Sequence, residues 1–130
     1  MTFETPSVKA LANIREKLKP LNLPIYFNLP EPETLEPFIV IGQTSSDTSK
    51  TVQTGLIIED LGVQVDIFLP GDESRGEVER VRSEAIRRIG RNSRMATNVL
   101  KDNTVGREVY HIVLNLTEII YILCGLKKEF

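Results

Sequence analysis

The chain has a single cysteine, Cys124, and a single histidine, His111. One cysteine excludes an internal disulfide and fits synthesis in a reducing cytoplasm. Zinc sites draw on several Cys or His ligands, and these two residues leave no set from which to build one. A Cys124–His111 nucleophile pair is weighed against a packing cysteine and a half-exposed strand histidine, and the packing reading is preferred. No apolar run approaches the ~20 residues that cross a bilayer. The opening Met1-Thr2-Phe3-Glu4-Thr5-Pro6 has no basic flank and no apolar stretch, so no secretory signal is expected. Glycine-rich phosphate loops are missing, because Gly71 and Gly76 lack the spacing and the lysine. Between Gly71 and Val109 there is no aromatic residue, which removes any base-stacking platform from the most basic stretch.

What remains is an ordinary globular composition. The 130 residues are 41% hydrophobic and 26% charged, which predicts one domain over residues 1–130 with a real core. Charge is unevenly spread. Residues 1–74 carry 5 basic and 11 acidic side chains, a net of −6, whereas residues 75–107 carry 9 basic and 4 acidic, a net of +5. Such a split predicts either two solvated faces of a monomer or complementary faces of neighbouring protomers.

Two helices are signalled. Thr5 as N-cap, Pro6 at the first helical position and the spacing of Val8, Leu11, Ile14 and Leu18 predict a helix that Pro20 ends. Ser74-Arg75-Gly76-Glu77 predicts a capping box opening a second helix, with Val78, Val81, Ala85, Ile86 and Ile89 as its buried stripe and Gly90 as its stop. Strands are predicted over Ile25–Asn28, Phe38–Ile41, Gly55–Leu69 and Glu108–Leu123, with a weaker one over Met95–Leu100 and a turn at Lys101–Thr104. Gly62 is expected to mark a bend or bulge in its strand. Three prolines make Leu29–Pro37 a stiff surface connection. The grouping predicts an α+β fold: a mostly antiparallel sheet of four to five strands with two helices packed on one face.

The stretch from Pro37 to Leu69 is the most informative. Its hydroxyl- and amide-rich segment Gln43–Thr54 reads as a long loop without a ligand set or a nucleophile–base pair. That pattern points to contact with another protein, through Gln43, Ser45, Ser46, Asp47, Lys50 and Thr51. An acidic group, Asp60, Asp66, Asp72 and Glu73, is expected to meet Arg87, Arg88, Arg91 and Arg94 of a neighbouring copy. Asp60 and Asp66 share strand parity, which allows a two-carboxylate magnesium site, but a solvated or partner-facing strand side is preferred. The second reading of Arg87–Arg94 is a small nucleic-acid-binding module.

The runs Ile25-Tyr26-Phe27-Asn28-Leu29-Pro30 and Pro37-Phe38-Ile39-Val40-Ile41-Gly42 resemble the opening of small tail proteins of long-tailed bacteriophages. The strand Val63–Phe68 followed by a capped helix over Ser74–Ile89 is similar too. The family is the tail terminator, also called the tail completion or tail-to-head joining protein, and the likeness runs over residues 5–123. The Glu/Pro-rich Leu29–Pro37 segment departs from the family's pattern. The resemblance implies a non-enzymatic virion protein at the head–tail junction, made in the host bacterial cytoplasm. It implies a ring, commonly a hexamer, that sits on the tail tube protein, stops tube growth and faces the head connector or neck proteins. It carries over no cofactor, metal, catalytic residue or membrane contact.

Overall fold

The computed structural model describes residues 5–49, 56–90, 94–103 and 106–123. Helix α1 spans Pro6–Leu18, with the Thr5 hydroxyl accepting from the Val8 amide as the sequence predicts. A short 3-10 turn, Lys19–Leu21, follows it, and Pro20 lies inside that turn. Helix α2 spans Arg75–Ile89. Its N-cap Ser74 accepts from the Glu77 amide at 3.1 Å, but the Glu77 carboxylate turns to Arg80 rather than back to the cap. Gly90, at φ 88°, ends the helix in the left-handed region that glycine tolerates.

The strands are β1 (Ile25–Tyr26), β2 (Phe38–Asp47), β3 (Leu56–Pro70), β4 (Arg94–Asp102) and β5 (Val109–Leu123). They form one five-stranded sheet in the order β1-β2-β3-β5-β4. β1 and β2 are parallel and every other pair is antiparallel. This is the α+β architecture the sequence predicts, with one parallel pair at an edge.

The sheet has one covered face. Because successive side chains alternate, Val63, Val65, Ile67 and Leu69 of β3 align with Leu116, Leu114, Ile112 and Tyr110 of β5. With Ile39 and Ile41 of β2 they pack under Ile14 and Leu18 of α1 and Val78, Val81, Ala85 and Ile89 of α2. Burying side chains of this size contributes about 1.5–3 kcal/mol each, offset by chain entropy. Lys17 Nζ donates to the Ile89 carbonyl at 3.2 Å, placing a cation on the free C-terminal end of α2 and tying the helices together. The helices thus lie on one side of the sheet, and the opposite side is left to the even-numbered residues of β3.

Four sequence expectations are corrected. Gln43–Asp47 are not loop: β2 continues through Asp47 and pairs with β3 as far as Asp60. These polar residues form a strand here because β3 runs opposite them from Val63 to Asp60 and supplies backbone partners. The irregularity falls on β2 between Gln43 and Ser45, across from Gly62, so Gly62 itself does not bulge. A Cβ at Gly62 would press into the Ser45 and Thr44 hydroxyls and stand 3.3 Å from the Ser45 amide nitrogen. Lys101 and Asp102 belong to β4 rather than to a turn, since β5 offers them Tyr110 and Val109 as partners. The first strand is also shorter than expected, ending at Tyr26.

The Leu29–Pro37 connection is irregular, as expected, but anchored. Arg107 donates to the Pro32 and Thr34 carbonyls at 3.0 and 2.7 Å and grips the Glu36 carboxylate with two bonds at 3.1 and 2.9 Å. The Glu36 side chain is only 5% exposed, and this two-bond guanidinium contact is what pairs its charge.

Candidate assembly surface

The open face of the sheet carries the residues that structure and sequence offer for recognition. Strand register assigns them. Phe68, Asp66, Gln64, Gly62 and Asp60 of β3 lie across from His111, Val113, Asn115, Thr117 and Ile119 of β5. On β4, Arg94, Ala96, Asn98, Leu100 and Asp102 continue the same face, as do Phe38, Val40 and Ser45 on β2. No helix among the described residues covers this side.

At one end the face is aromatic. The Phe68 ring stacks on His111 with centroids 4.3 Å apart, Phe38 lies 5.0 Å from Phe68, and Tyr26 meets Phe38 edge-on at 6.0 Å. This small cluster, with Val109, explains why Phe68 interrupts the polar side of its strand. Beside it, His111 bridges three strands. Its Nε2 lies 2.7 Å from Asp66 on β3, and its Nδ1 lies 3.1 Å from Asp102 on β4. Burial alone would lower the imidazolium pKa, but the Asp66 contact, and after it Asp102, outweigh that effect and raise it above the ordinary value of 6.5. Gln64 donates to both Asp66 oxygens, at 2.8 and 3.1 Å. Since the two carboxylates sit on opposite sides of the ring, they lock strands together rather than converge on one point. No group of three or more His, Cys, Asp or Glu able to hold a metal occurs among the described residues.

At the other end the face carries apolar groups in solvent. Ile119 is 54% and Tyr121 62% exposed, two positions apart on β5, with Ile58 across from Tyr121. Leu100 on β4, 42% exposed, lies back at the aromatic end, across from His111. Between the ends lies a shallow trough of mixed character, lined by Thr44, Ser45, Arg94, Ala96, Asn115 and Thr117 among others.

The expected assembly residues do not form one patch. Ser45, Asp47, Asp60, Asp66 and Arg94 share the open face. Gln43 and Ser46 turn to the helix side, where the Ser46 hydroxyl donates to the Glu59 carboxylate. Asp72 and Glu73 lie in the turn between β3 and α2. Six residues of strand separate Asp60 from Asp66, about 20 Å, so they do not make the two-carboxylate site that parity allowed. Asp66 is instead the His111 partner. Arg87 and Arg88 both close on Glu84, at 2.8 Å each, and hold its carboxyl below the ordinary range. Two of the four arginines in the nucleic-acid reading are therefore already shared with a carboxylate. Lys50, Thr51, Arg91 and Cys124 lie outside the described residues.

Sequence reasoning missed Asp102, His111 and Arg107. Their partners are set by register and by loop contacts between distant segments, and local pattern carries no signal for either. Compared with protein-family models and with curated proteins, the sequence matches none of them.

Proposed function

We infer that the chain is an assembly protein of the tail-terminator kind. In this reading copies join into a ring, six by the resemblance, on the end of a phage tail tube. The ring stops addition of tube protein and offers its other surface to the head connector. The observation that carries the reading is the open sheet face. Antiparallel sheets commonly leave one side to water, and that side is then polar. Here Ile119 and Tyr121 stand in solvent on it beside half-buried Ile58, and Leu100 does so at the opposite end, near half-buried Val113. Exposed apolar groups gathered on one face, rimmed by polar ones, mark contact surfaces. The acidic first half and the basic stretch over residues 75–107 add complementary charge of the kind that orients neighbours in a ring.

The mass of the purified protein, alone and mixed with tube protein, tests the reading. A closed ring on tube ends, lost in Ile119→Lys/Tyr121→Lys, is expected. Failure of the folded wild type to join tube protein at any ratio overturns it.

A further inference from the structure

The outer edge of β4 departs from how natural sheets end. Exposed edges are usually guarded by short length, proline, bulges or mid-strand charge, because a bare row of backbone donors and acceptors pairs with other chains. The opposite edge follows that rule: β1 has two residues, and prolines 24, 30, 32 and 37 surround it. β4 does not. Its nine residues pair with β5 in unbroken register, and among the described residues nothing pairs with its other side. From Met95 to Leu100 it has neither proline nor charge.

We propose that this edge pairs with the same edge of a second copy, antiparallel and centred on Asn98. The strand is self-complementary in that register. Arg94 at one end meets Asp102 of the other copy, and the exchange occurs twice by symmetry. Ala96 faces Leu100 of the second copy and covers a side chain that is 42% exposed in the monomer. Thr97 faces Val99, a pair of β-favouring residues. No like charges oppose each other. Even-numbered residues meet even-numbered residues, so the open faces of the two copies join into one, and both helix layers lie on the other side. The result is a continuous ten-stranded sheet. A two-fold contact of this kind closes at two copies, and a ring with two unlike faces has no such axis between neighbours. The edge pair is therefore the free form and separates when the ring inferred above is built through a different surface.

The experiment uses the full chain without tube protein, by light scattering behind size exclusion. The wild type is expected at twice the 14.7 kDa chain mass. Ala96→Lys/Leu100→Lys sets lysine against lysine across the two-fold axis and is expected to halve the mass with an unchanged circular-dichroism spectrum. Ala96→Glu/Leu100→Glu behaves the same way alone. Mixing the two variants restores the doubled mass, which also shows that both are folded. A wild type of single-chain mass, a lysine variant that keeps the doubled mass, or lysine and glutamate variants that do not recombine overturns the proposal. Edge pairing is read without tube protein and ring formation with it, so the two readings fail separately.

Discussion

Replacing His111 with phenylalanine keeps a ring stacked on Phe68 and deletes both polar links from β5 to its neighbours. Asp66 retains Gln64 as a donor, whereas Asp102 loses the imidazole. The three side chains are 15–18% exposed. A hydrogen bond to a charged group contributes roughly 1.5–3 kcal/mol, and partial exposure reduces this. His111→Phe should therefore lose about 2–3 kcal/mol when the wild-type histidine is protonated. The pH dependence follows from the direction of the shift. The folded state holds the proton more tightly than the unfolded chain, whose histidine titrates near ~6.5. The stabilisation is complete below that value and is lost as pH rises through the higher folded-state pKa. There is a structural reason for the loss: neutral imidazole has one N–H and serves only one of the two carboxylates. Urea unfolding between pH 5.5 and 8.5 should show the wild type losing stability with rising pH by more than the variant does. A wild type whose midpoint is flat or rises over this range, or a variant with the same slope as the wild type, would refute the reasoning.

Arg107→Ala should cost about 3–5 kcal/mol, because it strands the buried Glu36 carboxylate, and it should open the Leu29–Pro37 connection to protease; Glu36→Gln should be milder, and thermal unfolding ranks the two. At Gly71 a Cβ would lie 3.0 Å from the Glu108 carbonyl carbon and closer still to its oxygen. Gly71→Ala should lose about 1–3 kcal/mol by that overlap with backbone, read as a lowered denaturation midpoint. Arg87→Glu with Arg88→Glu gathers three acids around the Glu84 position; helix α2 should weaken slightly by like-charge repulsion, a loss that added salt reduces in circular-dichroism melts.

The parts of the fold written in local chemistry were legible. Thr5 and Ser74 announce their helices because a side-chain oxygen satisfies free amides at a helix start. The alternation from Val63 to Leu69 and from Tyr110 to Leu116 reads directly as two half-buried strands. Polar strand was illegible. Gln43–Asp47 have the composition of a loop and become β2 only because β3 extends past the core and supplies partners. Deleting Ser45–Asp47 therefore removes paired strand and should unfold that end of the sheet. β4 alternates weakly and owes its length to β5. The candidate assembly surface was legible only in part. Ser45, Asp60 and Arg94 fall on the open face, but its apolar content comes from Ile119 and Tyr121, whose unbroken apolar run gives no indication of which side chains face water. The His111 and Arg107 links join segments far apart in sequence, and only the folded register brings them together.

Tube polymerisation in the presence of the protein tests the central claim most directly. Phage tail tube protein is allowed to polymerise with rising amounts of this chain, and tube lengths are measured by electron microscopy. The account predicts shorter tubes bearing a ring at one end, and no such rings with Ile119→Lys/Tyr121→Lys. Tubes of unchanged length with bare ends at every ratio would contradict it.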